Sequence, residues 1–385
     1  MKENQRKILT ETAFGFTAAG KIFFCALAAC ACLSMNVFFA LSTVIVCAAA
    51  SVSLNKKILA PSAFLLVPVI FVAGTAGKSG LAFAVLLGSV LFLLLSLSPK
   101  SIDFSPSVKA GAAIGLAFSV TVLLTTYYFG IGASGSYTFE MLKNYRYLGF
   151  HPNWRGVFYG TITLFAMITY PFKFKKLSKR IPAEFVSVLI PLLFNLFLNP
   201  EKESTPILEV GALSDMKALS GVKAFFPILD FSALSGGENL VAVLKGAFAL
   251  GVVFALFGPK EKKDKIVCAG ESGVSALLGG LPCFESEIAV YTPVSAVTAL
   301  GAATLLALLA PGVISRIPLH SLAVVFIVSA WKSVSFKAAS SVFKKRDFFE
   351  IVSFFASALG FVFLDVFAAS IVCVLISAAF GRVKK

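Results

Sequence analysis

The chain has 385 residues, 58% of them apolar and 14% charged, with a mean hydropathy of +0.90. A soluble domain is about 45–50% apolar and about 25% charged, so no single aqueous core can hide these side chains and the bilayer must be much of the solvent. The net charge of +15 does not point to nucleic acid, because the basic residues stand in short clusters between apolar runs.

In lipid every backbone polar group needs an internal partner, so spans are helices or a closed barrel. Barrel strands alternate apolar and polar over about ten residues, whereas the runs here are unbroken over roughly 16–24 residues, a helical length. Met1–Lys7 is polar and is followed by a span with no small-residue cleavage site, so no cleaved signal is expected. Fourteen apolar segments follow in chain order: 12–34, 36–54, 59–76, 80–98, 107–130, 154–172, 182–199, 239–258, 266–281, 283–293, 295–313, 318–334, 348–363 and 365–381. The weakest is 283–293, which contains Glu285 and Glu287.

Charge supports an even count. With the N-terminus in the cytoplasm, 23 basic residues fall in cytoplasmic loops and 8 in the opposite ones, as the positive-inside rule requires. Dropping the tenth segment would reverse every later loop and put the cluster at Lys332–Arg346 on the wrong side. The long loop after span seven divides the chain into two seven-span halves of opposite orientation. Inverted repeats of this kind mark secondary transporters. The expected organisation is a cytoplasmic N-terminus at 1–11, a first repeat at 12–199, an extracytoplasmic loop at 200–238, a second repeat at 239–381 and a cytoplasmic tail at 382–385. The expected setting is a bacterial inner (plasma) membrane.

In inverted-repeat carriers the substrate sits near the midplane, beside interrupted helices whose N-termini face it. Spans three and ten are each third in their half, and each opens on a proline: Pro61-Ser62-Ala63 and Pro282-Cys283-Phe284-Glu285-Ser286-Glu287. A helix starting there leaves unpaired N–H groups and about half a positive charge, and two such ends facing each other suit an anion. Glu285 and Glu287 are expected in the first turn of span ten, where they could cap a dipole, bind a proton or accept from a substrate. Lys21 and Lys245, in spans one and eight, are candidate charge partners or snorkelling cations. His151 and His320 read as structural, and Asp365 as a turn or helix-start residue. Cysteines 25, 30, 32, 47, 268, 283 and 373 lie in or beside apolar segments without metal-ligand or paired-loop spacing, and read as small apolar residues.

Several stretches resemble the SulP family, the sulfate-permease-like anion transporters: Phe104-Ser-Pro-Ser-Val-Lys-Ala-Gly111-Ala-Ala-Ile-Gly115, Lys179-Arg-Ile-Pro182-Ala, Arg316-Ile-Pro318 through Ala330-Trp331, Ala60-Pro61-Ser62-Ala63, Gly279-Gly280-Leu281-Pro282, and the last two spans around Asp365. The resemblance implies an all-α polytopic membrane protein of about fourteen spans as seven-plus-seven inverted repeats, with core and gate domains and half-helices in spans three and ten. It also implies substrate between spans one, three, eight and ten, and a homodimer. There are departures. The family's Pro-Gln of span one falls at Phe24-Cys25, its Glu at the end of span eight falls near Phe257, the stretch after Pro282 is shorter, and the usual C-terminal STAS domain is not expected. Ser286-Glu287-Ile288 is faintly similar to the tenth span of the nucleobase–ascorbate transporters.

The expected function is therefore secondary active transport of a small anion of the sulfate, bicarbonate or dicarboxylate class, by an elevator-like movement, with a coupling proton or sodium ion among the partners beside the bilayer. The alternatives are a proton-coupled carrier of a neutral nucleobase-like solute using Glu285 or Glu287, and a SulP-like protein that keeps the fold without transporting. No cofactor is expected. No nucleophile–base pair, metal cluster or phosphate loop points to an enzyme.

Overall fold

The structure, a computed structural model, describes residues 11–12, 26, 43–47, 49, 58–97, 104–131, 135, 137–178, 181–198, 236–259, 261–277, 282–286, 297–298, 301 and 316–383. In chain order the elements are β1 (Ile58–Pro61), α1 (Ala63–Leu97), α2 (Pro106–Phe129), α3 (Thr138–Leu148), α4 (Trp154–Lys173), α5 (Lys175–Ser178), α6 (Ala183–Leu198), α7 (Gly237–Phe257), α8 (Lys262–Leu277), β2 (Cys283–Ser286), α9 (Leu319–Lys332), α10 (Phe336–Lys345), α11 (Phe348–Phe363) and α12 (Val366–Val383).

Local chemistry accounts for the helix ends. Span three opens late, at Ala63, because the residues before it are extended. Spans three and four form one unit, α1, broken where Gly77 takes φ 71° and ψ −173°, a conformation open to glycine and strained for other residues. Ser105 caps α2 by accepting from Val108 N at 3.3 Å, and Pro106 occupies the first helical position, where its missing N–H costs nothing. Asn153 caps α4 by accepting from Gly156 N at 3.2 Å. Asp365 is a helix-start residue, as expected: its carboxylate accepts from Ala368 N at 2.7 Å at the head of α12.

The fold is overwhelmingly helical, as expected, and two features add to the sequence reading. One is that β1 and β2 pair as a two-stranded antiparallel sheet. The other is that three helices, α3, α5 and α10, are absent from the fourteen segments. Each carries lysine or arginine among its apolar residues and falls well short of the roughly 20 apolar residues that cross a bilayer, so a search for long apolar runs passes over them. Spans one, two and eleven lie largely outside the described residues.

The helices pack in two groups. In the first, α7 runs along both halves of α1, and α8 packs on α1 and on β2. The α1–α7 contact is close: Gly246 leaves room for Val72, and Gly88 for Leu250 and the Ala247 carbonyl. In the second, α2 packs on α11 and α9, α9 on α4, and α4 on α6. Without a hydrophobic drive between helices in lipid, close approach of small residues supplies the attraction. Gly111, Gly115 and Ser119 form such a stripe on α2 facing α11. A Cβ at 111 would overlap the Phe354 carbonyl oxygen, and Ser119 Oγ donates to Phe361 O at 2.7 Å. Trp331 Nε1 donates to Thr121 Oγ1 at 2.9 Å and ties α9 to α2. Helix α12 touches both groups, through α11 and α2 on one side and α7 and α1 on the other.

Candidate functional site

The two proline-marked segments meet. In the β1–β2 pair Ile58 stands opposite Ser286, Leu59 opposite Glu285, Ala60 opposite Phe284 and Pro61 opposite Cys283. Backbone buried away from water must find partners, and two short extended runs can satisfy each other where a helix has not yet begun. Immediately after β1, Ser62 caps α1: Phe64 N donates to Ser62 Oγ at 3.3 Å and Leu65 N to Ser62 O at 3.1 Å. The N-terminus of α1, with its partial positive charge, therefore opens at the end of the strand pair. Ala63 and Phe64 are buried there.

The second half of the expectation changes. Cys283, Phe284, Glu285 and Ser286 are strand residues and not the first turn of a helix. Glu285 is thus held in an extended backbone opposite Leu59, because pairing with β1 satisfies the four residues that a helix start would leave open. Glu287 lies outside the described residues, as do Lys21 and Phe24. Lys245 is half-buried on α7, with its ammonium 5.8 Å from the ring centroid of Phe367 on α12, a cation–π contact. Phe257, at the position where the resemblance places an acidic residue, ends α7. Its ring lies 4.7 Å from that of Phe64, centroid to centroid, so an apolar ring rests on the first turn of α1.

A residue not singled out from the sequence belongs beside these. Glu271 lies within α8 at 3% exposure. Its Oε1 accepts from Ser275 Oγ at 2.8 Å and from Cys47 Sγ at 3.6 Å, and its Oε2 accepts from Ser272 Oγ at 3.2 Å. The signal was present: Glu271 is the one carboxylate in span nine as read at 266–281, and intramembrane carboxylates are costly and functional by default. His320, at the head of α9, is fully buried against α4, and a Cβ on Gly156 would fall on its imidazole. Neither ring nitrogen has a hydrogen-bond partner among the described residues.

Solved structures share this fold. SLC26A9 superposes with a TM-score of 0.70 at 13% identity, covering 98% of this chain and 66% of that one. The transmembrane domain of the cyanobacterial bicarbonate transporter BicA gives 0.64 at 15% identity, covering 94% of this chain and 97% of that domain. Murine Slc26a9, an anion transporter in its inward-facing state, gives 0.70 at 12% identity, covering 98% and 69%. The chain has the membrane-domain fold of these anion transporters. It spans about two thirds of the SLC26A9 chain and nearly the whole of the BicA domain. No family model and no curated protein matches the sequence.

Proposed function

We propose that the chain is a secondary active transporter of a small anion, of the sulfate, bicarbonate or dicarboxylate class, working by elevator-like alternating access. The observation that carries this reading is Pro61 opposite Cys283, with the capped N-terminus of α1 opening directly from the paired strand. An N-terminus of this kind offers N–H donors and positive potential without a buried cation. The SLC26-type fold supports the same class of cargo. In this reading α1, α7 and α8 with the two strands belong to the moving core, and α2, α4, α6, α9 and α11 to the gate. Both termini lie in the cytoplasm, the two seven-span halves are inverted repeats, and the protein works as a homodimer.

Cargo would lie between spans one, three, eight and ten, against Phe24, Ser62, Ala63 and the Cys283–Glu287 segment. Phe257 on Phe64 would narrow that site on the side of span eight and favour a small anion. Proteoliposomes loaded in turn with sulfate, bicarbonate and a dicarboxylate test the reading: saturable uptake of at least one is expected, and a flat response to all three overturns it.

A second reading is favoured by Glu285 in the strand pair. A carboxyl-bearing residue in the strand that pairs with the run leading into α1 suits a neutral, hydrogen-bonding solute moved with a proton. Under that reading Glu285→Gln abolishes pH-driven nucleobase uptake, and sulfate fails to compete.

A further inference from the structure

Helix α10 carries three stripes. Ala339 and Val342 are buried, in a cluster with Ala110 of α2 and Phe354 of α11. On the opposite side of the helix stand Lys337 and Lys344, both exposed. Phe336 and Phe343 run along the flank between these faces and are 59% and 42% exposed. Ala110 and Phe354 belong to the first two turns of helices that begin at Pro106 and Phe348. At 1.5 Å per residue, α10 therefore sits roughly 6–9 Å in from the ends of two spans. An interfacial helix lies at this depth, with apolar side chains towards the acyl chains and cations at the headgroups. Trp331, at the end of α9, extends the aromatic flank. Its ring is 3° from parallel with that of Phe336, the centroids 6.3 Å apart, and tryptophan gathers at this level of a bilayer.

The charge around the helix is unbalanced. Lys332, Lys337, Lys344, Lys345 and Arg346 are all exposed. The carboxylates in the same stretch are Asp347, which accepts from Phe349 N at 2.9 Å, and Glu350, which lies 3.6 Å from Lys345. Among the described residues the other four cations have no ion-pair partner. Arg346 also holds its backbone at φ 53°, and is the one non-glycine residue with positive φ among those described. This left-handed cap position suits glycine and is costly for a residue with a Cβ. The helix dipole does not call for a cation there, since Lys344 and Lys345 already put two in the last turn.

We propose that α10 is a docking surface for anionic phospholipid, in which Lys337, Lys344 and Arg346 hold phosphate headgroups while Phe336 and Phe343 rest against acyl chains. The lipid's charge complements the surplus cations. The phenylalanines beside them call for an apolar neighbour that a free anion in water does not supply. In the topology proposed above, the leaflet concerned is the cytoplasmic one. The inference does not depend on what the chain transports and needs only that α2 and α11 cross the membrane.

The test melts the purified full chain in detergent with increasing phosphatidylglycerol or phosphatidylcholine. Phosphatidylglycerol should raise the melting temperature saturably, as a ligand of the folded state does, and phosphatidylcholine should not. Lys337→Gln with Lys344→Gln should raise the phosphatidylglycerol midpoint roughly tenfold or more, since each basic residue near an anionic surface contributes about fivefold. Arginine at both positions should keep the wild-type midpoint. Lys143→Gln with Arg146→Gln takes the same charge from α3 and should leave the midpoint unmoved. Arg346→Gly should melt higher than the wild type in phosphatidylcholine, its strain relieved, and gain less from phosphatidylglycerol. Any gain from glycerol phosphate, a headgroup without acyl chains, should be the same in the wild type and in the Lys337 and Lys344 double variant. A glycerol phosphate gain lost in that variant would mark a free-phosphate site and overturn the proposal. So would equal midpoints in the two glutamine double variants, a full phosphatidylglycerol gain in Arg346→Gly, or no gain in the wild type.

Discussion

Pro61 stands directly opposite Cys283 across the β1–β2 pair, which joins the start of the third span to the start of the tenth. Directly opposed residues of an antiparallel pair have Cβ atoms about 4.5–5.5 Å apart, close to the roughly 3.5–4.5 Å a disulfide needs. Pro61→Cys, in a background keeping only Cys283, should cross-link within the chain under mild oxidation. Ala60→Cys, whose partner is Phe284, should do so far less. Peptide mass spectrometry after oxidation reads the result, and equal yields from the two positions would show the register to be wrong.

Packing of α2 on α11 gives a stability prediction. A Cβ at Gly111 would overlap the Phe354 carbonyl oxygen and Ser357 Oγ, whereas at Gly74 nothing among the described residues lies within 4 Å. The hydroxyl can rotate away, but the carbonyl belongs to a helix backbone and cannot. Gly111→Ala should cost about 1–3 kcal/mol through overpacking. Gly74→Ala should gain up to roughly 1 kcal/mol through helix propensity. Melting temperatures of the purified variants check both signs, and a neutral Gly111→Ala would remove the close-packed stripe from the account of the fold.

These residues show how far the sequence could be read. The matched prolines at 61 and 282 were legible, because a proline at the same place in each half is a pattern on the chain itself. So were the stretch around Gly111 and Gly115, through its resemblance to a known span opening, and Asp365, through ordinary helix-start chemistry. The strand at Cys283–Ser286 was not. Four extended residues carry no usable period, and their partner lies more than 200 residues earlier. That is why Glu285 was expected in a helical turn. Glu271 was visible as a carboxylate within an apolar span, yet its contact with Cys47 exists only in the folded chain. The short helices α3 and α10 carry too much charge to register as spans and too much apolar surface to read as plain loops.

His320 yields a prediction that runs against the usual cost of changing a buried residue. Its two ring nitrogens are buried without hydrogen-bond partners among the described residues, and an unsatisfied buried polar group costs roughly 1–3 kcal/mol. His320→Leu should leave the melting temperature unchanged or raise it. Gly156→Ala puts a Cβ onto the imidazole and should lower it. In a His320→Ala background the same glycine substitution should cost much less, since the two sites are in contact and their effects do not add. Additive losses would mean that the ring is not what Gly156 makes room for.

Tyr145, on α3 in the connection between spans five and six, sets an alkaline limit. Its hydroxyl donates to Val122 O at 3.3 Å. Burial pushes the phenol up from its ordinary value of 10.0 to about 12, against a smaller opposing effect of a hydrogen bond with Thr126. The folded state therefore holds this proton more tightly than the unfolded chain does. Below the ordinary value both states are protonated and the contribution is constant. Above it the unfolded chain ionises first, so stability falls as pH rises towards the folded value. Tyr145→Phe removes the ionisable group and should flatten that fall, while costing about 1 kcal/mol at neutral pH for the lost hydrogen bond. Thermal melts of both proteins across the alkaline range test this. Parallel curves would mean that the alkaline loss arises elsewhere and that the phenol ionises as readily in the folded protein as in the unfolded chain.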